Sequence, residues 1–158
     1  MSQWQPPTAP GAGEQNMRTP PALFRELERR FGRGKFTLDA AASATDALCD
    51  LYFTEEQDAL KQTWSGRVFC NPPYQDILPW VKHAHCAVVE DHAEVVVMLL
   101  PARTGTEWYD FCLRNGTRIE PIRGRVAFLN PEGRQKKGNF EWSLVVVFER
   151  PILASKFR

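Results

Sequence analysis

A chain of 158 residues, 43% hydrophobic and 25% charged, has the size and composition of one globular domain and is too short for two well-packed ones. The longest apolar run, Val95 to Leu100, falls far short of the roughly 20 residues that cross a bilayer, and no charged-then-apolar leader opens the chain, so a cytoplasmic protein without membrane contact is expected. Net charge is only +1, and four cysteines without a CxxC pair argue against a zinc framework or disulfide scaffold; Cys49, Cys70, Cys86 and Cys112 read as buried thiols.

Residues 1–17 contain Pro6, Pro7, Pro10, Gly11 and Gly13 with few large apolar side chains. They read as a flexible tail, with a single domain over 18–158. Thr19 is placed to cap a helix whose first turn holds Pro20 and Pro21, with Leu23, Phe24, Leu27 and Phe31 on one face and Gly32 at its end. Phe36 to Asp39 reads as a strand entering a small-residue turn, Ala40 to Ser43. A second strand, Arg67 to Cys70, must stop at Asn71, because Pro72 and Pro73 cannot continue a ladder. Ile77, Leu78, Trp80, Val81, Ala84 and Val88 recur at helical spacing, and Glu94 to Leu100 is a continuous strand of the kind buried on both faces. Thr104 or Thr106 starts a helix through Trp108, Phe111 and Cys112 that Gly116 ends. A hairpin-like pair near Arg125 to Leu129 and Trp142 to Phe148 closes the chain. Helices alternating with buried strands define an α/β domain with a mostly parallel sheet and an antiparallel C-terminal strand. In such sheets ligands sit beyond the carboxyl ends of the strands. Asp39 and Asn71 both occupy such ends and can converge on one crevice.

Asn71-Pro72-Pro73-Tyr74 has the composition to hold an exocyclic amine. The lone pair of such an amine is delocalised into its ring, so the group is a poor nucleophile until it is held in another geometry. The Asn71 side-chain oxygen and the Pro72 carbonyl can both accept from the NH2 group, drawing it toward a tetrahedral shape with its lone pair aimed at a methyl. The prolines keep the loop rigid, and Tyr74 offers a ring for a base extracted from a duplex. Asn-Pro-Pro by itself is as readily a simple turn. An apolar strand before it, an aromatic in fourth place and an amphipathic helix after it favour the chemical reading.

Between positions 114 and 137, Arg114, Arg118, Arg123, Arg125, Arg134, Lys136 and Lys137 outnumber Glu120 and Glu132 by five charges, a surplus suited to phosphate contact. Arg103, after a strand end and a proline, can meet a DNA phosphate or form an ion pair. His83 and His85 point about 200° apart on a helix and cannot readily share a metal ion. Trp64 and Trp80 are assigned packing and no chemistry. No G-x-x-x-x-G-K-[ST] loop or G-x-S-x-G elbow occurs, which removes nucleotide and serine hydrolysis.

Five blocks, Thr19 to Phe24, Phe36 to Ser43, Val68 to Tyr74, Leu99 to Thr104 and Arg123 to Phe128, together resemble, in order, the phage-type DNA N-6-adenine methyltransferase (Dam) family. The resemblance implies a Rossmann-like class I methyltransferase fold and S-adenosylmethionine as methyl donor. It implies adenine in double-stranded DNA as acceptor, in bacteriophage or prophage genomes, with no metal and no obligate protein partner. By residue, it implies that Thr19 and Pro20 meet the methionine part of the cofactor. Asp39, Ala40 and Ala41 then form the first cofactor motif, with alanines where the wider superfamily has glycines. Asp58 meets the cofactor adenine, and a ribose-binding acid lies between, Asp46 or Asp50. Asn71 faces both cofactor and target amine. Apart from the resemblance, the local basic charge makes Arg123, Arg125, Arg134, Lys136 and Lys137 the expected DNA contacts, with Arg103 as a further candidate. The 88 residues that follow Cys70 leave little room for a separate target-recognition domain, so base readout is expected to fall to loops. The rival readings are a cytosine amine, RNA adenine or protein glutamine acceptor on the same fold, or a noncatalytic DNA-binding module.

Overall fold

Pro20 and Pro21 preset the backbone angle of a first helical turn and lack amide hydrogens that the turn would leave unpaired. In the computed structural model, which describes residues 17–136 and 139–151, helix α1 runs Pro21–Phe31. Thr19 does not cap it as expected. The N-cap residue is Pro20, without a side-chain cap, and the Thr19 hydroxyl is taken by Asn71 instead. Phe24, Leu27 and Phe31 face inward, and Gly32 ends the helix where a Cβ would stand 2.7 Å from the Glu28 carbonyl oxygen.

One six-stranded sheet follows, built from β1 (Leu38–Asp39), β2 (Leu51–Tyr52), β3 (Gly66–Cys70), β4 (Ala93–Pro101), β5 (Arg118–Pro121) and β6 (Ser143–Glu149). Helix α2 (Leu78–Val89) joins β3 to β4, and α3 (Glu107–Asn115) joins β4 to β5. The order is β2-β1-β3-β4-β6-β5; β2, β1, β3 and β4 are mutually parallel, and β6 is antiparallel to both its neighbours. The regular part of β1 is shorter than the expected 36–39, since the Phe36 amide donates to the Glu28 carboxylate at 2.8 Å. Of the two expected caps for α3, Thr106 serves, its Oγ1 accepting from the Tyr109 N–H.

Strand β4 explains the continuous apolar run. Val96, Met98 and Leu100 pack against Val81, Ala84, Trp108 and Cys112 of α2 and α3. Val95, Val97 and Leu99, turned the other way by the period of two, pack against Phe24, Leu27 and Phe31 of α1. The sheet is therefore covered on both faces.

The partner of β6 is β5, not the expected segment 125–129. Val126 and Phe128 do alternate into the core on the α1 side, but Leu129 makes isolated bridges to Arg18 and Gln135 and adds no strand to the sheet. The true edge strand is polar. Glu120 pairs with Arg30 at 2.7 Å, and Arg118 lies 5.6 Å from the Phe31 ring centroid. The cysteines are not uniformly buried: Cys70 and Cys112 are, Cys49 is half-buried, and Cys86 is exposed on α2, two positions from buried Ala84 and Val88 and so on the opposite side of the helix.

The chain moves outward from β1 to β2 and then crosses to β3 on the other side of β1. That reversal opens a crevice beyond the carboxyl ends of β1 and β3. Strand β5 points the same way as β4, so the 122–142 connection leaves from this end. Arg118 begins β5 at the opposite end, and Arg114, in the last turn of α3, pairs with Asp110 at 3.1 Å. The basic surplus at the crevice thus narrows to Arg123, Arg125, Arg134 and Lys136, with Lys137 outside the described residues. Among the described residues, no helix is long and apolar enough to cross a membrane.

Candidate active site

Asp39 ends β1 and is only 3% exposed. Its Oδ2 accepts from the Leu48 N–H at 3.1 Å, while Oδ1 is buried with no hydrogen-bonding partner among the described residues. Removal from water pushes its pKa from 3.8 up to about 7, opposed by the N–H groups of Leu48, which bonds Oδ2, and of nearby Ala41, and assisted by the nearby Asp46 charge. An unpaired buried carboxylate oxygen is costly, and a ligand ammonium would satisfy it. Ala40, fully buried, donates its N–H to the Phe69 carbonyl at 2.9 Å and so locks the end of β1 to the end of β3.

Asn71 follows β3 directly. Its Nδ2 donates to the Met17 carbonyl at 3.0 Å and to Thr19 Oγ1 at 3.1 Å. A main-chain carbonyl can only accept, so the NH2 side of the amide is fixed toward Met17 and Oδ1 is left as the side chain's acceptor. Pro72 is buried behind it. Tyr74 is fixed at both ends: its hydroxyl donates to the Leu99 carbonyl at 3.2 Å, and its own carbonyl accepts from Arg103 Nη1 at 2.8 Å. Burial pushes the Tyr74 hydroxyl pKa well above the ordinary range. Its ring meets Phe128 edge-on at 6.5 Å and the Arg103 guanidinium at 5.9 Å.

Of the two roles open to Arg103, the structure shows the ion pair. Nε and Nη2 donate to the Glu141 carboxylate at 3.1 and 2.8 Å, so in the absence of DNA the Arg103 charge is paired within the chain.

Residues 17–19 strap the site together. The Arg18 and Leu129 backbones exchange two hydrogen bonds at 2.9 Å, and the Arg18 side chain reaches Thr45 Oγ1 at 3.0 Å and Asp46 Oδ2 at 3.4 Å. Met17 therefore belongs to the domain and not to a tail; residues 1–16 of the expected tail lie outside the described residues. The strap joins the turn after β1, the Asn71 loop and the connection to β6.

The three expected cofactor acids stand in different surroundings. Asp46 is spent, its Oδ1 accepting from the Ser43 amide at 2.6 Å and Ser43 Oγ at 2.8 Å. Asp50 precedes β2 and lies at the amino end of that strand, away from the crevice. Asp58 is half-exposed, pairs with Lys61 at 3.4 Å, and has the left-handed φ of 51° that a non-glycine residue adopts at a cost. The short 3-10 helix Ala59–Lys61 behind it rests on buried Trp64, whose Nε1 donates to the Ala59 carbonyl at 2.9 Å. Trp80 and His83 flank that indole. Glu55 and Glu56, which are not among the expected acids, follow β2 at its carboxyl end. In a parallel sheet an acid that meets a ligand follows its strand, but the two-residue β2 was not among the expected strands, so its carboxyl end could not be located from the sequence. Glu56 is bonded by its own N–H and the Thr54 hydroxyl, which hold its carboxyl below the usual range; Glu55 is exposed. His83 Nε2 lies 2.8 Å from the Gln62 carbonyl, whereas His85 packs on Phe111 and Phe148.

A sheet covered by helices on both faces, reversing between a buried aspartate and an Asn-Pro-Pro-Tyr loop, is that of a class I amino-methyltransferase. The chain belongs to the DNA N-6-adenine-methyltransferase (Dam) family, whose model matches residues 8–156. It is 37% identical over 135 residues to the DNA N-6-adenine-methyltransferase of Haemophilus phage HP1, covering 83% of this chain and 76% of that protein. To the DNA N-6-adenine-methyltransferase of Escherichia phage T1 it is 31% identical over 147 residues, covering 82% of this chain and 60% of that longer protein. Its fold is similar to that of the Pyrococcus horikoshii protein PH1948, described as an RNA methyltransferase, with a TM-score of 0.52 and 12% identity over 96% of this chain and 93% of that one. At that identity the likeness is one of fold alone.

Proposed function

We propose that the chain transfers the methyl group of S-adenosylmethionine to the exocyclic N6 of an adenine drawn out of double-stranded DNA. The observation that carries this reading is the Asn71 amide. Its NH2 is committed to Met17 and Thr19, so its oxygen is presented as an acceptor beside the prolines, just past the carboxyl end of β3, the strand beside the one that Asp39 ends. When bound, S-adenosylmethionine supplies an electrophilic methyl on a sulfonium. Asn71 Oδ1 and the Pro72 carbonyl accept the two N–H bonds of the target amine and aim its lone pair, and rigidity of the loop means that no reorganisation is needed as charge develops. Asp39 Oδ1 accepts from the cofactor ammonium, with Thr19, Pro20, Ala40 and Ala41 close around it. Glu55 fits the ribose hydroxyls better than Asp46 or Asp50, because it follows the carboxyl end of β2 and its carboxylate is not spent on a neighbour. Asp58 takes the cofactor adenine amine. Arg123, Arg125, Arg134, Lys136 and Lys137 meet phosphates around the extracted base.

Incubation with labelled S-adenosylmethionine and unmethylated plasmid, with RNA as a parallel acceptor, followed by nucleoside analysis, tests the reading. Label in N6-methyladenine from DNA is expected. Label in methylcytosine, or in RNA alone, would refute it.

A further inference from the structure

Two large aromatic side chains stand bare where the crevice opens. Phe140 is 77% and Trp142 53% exposed; a lone exposed apolar side chain is ordinary, but these are two large aromatics two positions apart on one connection. Their backbone is held in place. Asn139 Nδ2 donates to the Val126 carbonyl at 3.0 Å, and the Glu141 N–H donates to Asn139 Oδ1 at 3.2 Å. Glu141, between the two aromatics, is gripped by Arg103, and the Trp142 carbonyl accepts from the Ala102 N–H at 2.8 Å. The tripeptide is thereby fastened to the carboxyl end of β4 and, through Arg103, to the Tyr74 carbonyl in the Asn-Pro-Pro-Tyr loop. Arg125 lies 5.3 Å from the Trp142 ring centroid, so an exposed aromatic and an exposed cation stand side by side, the pairing that suits a stacked base with a phosphate next to it.

We propose that Phe140 and Trp142 stack against the DNA bases left uncovered when the target adenine leaves the duplex, holding the helix open above the active site. The inference rests on the function proposed above. Extracting one base strips stacking from both neighbours, and apolar side chains inserted from the protein repay that loss. The charge of the surroundings selects the partner: Arg123, Arg125 and Arg134 on the same connection complement phosphates. Tyr74 is not free to insert in this way, because its hydroxyl is tied to the Leu99 carbonyl and its carbonyl to Arg103.

The test first maps the adenine that the full wild-type chain methylates in a plasmid, then builds a duplex oligonucleotide around it in two forms. In one the target adenine faces thymine, and in the other it faces an abasic position. Phe140→Ala, Trp142→Ala and the double variant are compared with wild type, and S-adenosylmethionine affinity by calorimetry verifies the fold of each. The double variant should lose about ten- to a hundredfold in kcat/KM on the paired duplex and recover most of it on the abasic one, where no pairing has to be broken. Trp142→Phe, which keeps a stacking face, should stay near wild type. Variants equal to wild type on the paired duplex, or equally impaired on both duplexes, would overturn this inference and leave the methyltransferase reading standing. A wild-type chain that methylates no DNA would overturn that reading and this one with it.

Discussion

Asp39 couples folding, cofactor affinity and pH, and the sign of each coupling follows from its surroundings. Desolvation is the main cause that raises its carboxyl from 3.8 to about 7. A carboxyl raised in this way favours the fold while it is protonated. As pH climbs from about 4 to about 7, the unfolded chain ionises Asp39 freely and the folded chain resists, so stability falls by roughly 4 kcal/mol in all. A ligand ammonium beside the unpaired Oδ1 works in the opposite direction, because it favours the carboxylate. Below pH 7, cofactor binding must therefore expel a proton. Affinity for S-adenosylmethionine should weaken by about tenfold per pH unit below about 7 and level off near that value. Calorimetry near pH 6 in buffers of different ionisation heat should detect release approaching one proton per cofactor. Asp39→Asn keeps an acceptor for the Leu48 amide and abolishes the titration. Its melting temperature without cofactor should exceed wild type at pH 8, with the gain reduced by the 1–3 kcal/mol or so that a buried unpaired NH2 costs, and its cofactor affinity should be weak and independent of pH. Wild-type affinity that stays constant between pH 6 and 8, or an Asp39→Asn variant that binds as tightly as wild type, would refute this account.

Asn71→Ala should lower kcat by about 10²- to 10³-fold, the loss of roughly 3–4 kcal/mol typical of one positioned acceptor or donor, with cofactor affinity little changed. A larger effect on cofactor affinity than on kcat would move Asn71 out of the methyl-acceptor site. Tyr74→Phe forfeits the bond to the Leu99 carbonyl, worth about 0.5–1.5 kcal/mol of stability, yet should keep most activity, whereas Tyr74→Ala should lose it; equal damage from both would assign the chemistry to the hydroxyl. Arg103→Ala should raise the KM for DNA by freeing Tyr74 and Glu141 without altering the salt dependence of DNA binding, and a slope reduced by about 0.9 would reinstate Arg103 as a phosphate ligand. Neutralising Arg134, Lys136 and Lys137 together should reduce that slope by about 0.9 for each phosphate left without its cation, and spare cofactor affinity; identical slopes for variant and wild type would show that these cations do not meet DNA.

What the sequence made legible is what local pattern controls. Strand β4 was readable because burial on two faces leaves no position for a polar residue, and α3 because Thr106 and Gly116 act within one turn of their own helix ends. Asp39 and Asn71 were readable for a related reason, since each is a polar residue placed where an apolar strand must stop. Thr19 was not, because its partner Asn71 lies 52 positions away and overrides the local rule of a helix cap; for Arg103 the sequence offered an ion pair as one alternative but could not name Glu141, 38 positions away, as the partner. The alternation at Val126 and Phe128 truly reports burial, but a period of two records only that side chains alternate between core and solvent, not that the backbone between them is paired. The charged edge strand β5 carries the reverse error, being paired yet buried on neither face strongly enough to leave a pattern. The proposal of Glu55 for the ribose, in place of the expected Asp46 or Asp50, turns on a small piece of information. Asp50 and Glu55 flank the same two-residue strand, and only its direction within the sheet decides which of them faces the crevice; that direction is set by pairing with β1, whose residues stand 13 positions earlier in the register. Choosing between the two acids therefore required the parallel β1–β2 ladder itself, which no spacing along the chain could supply.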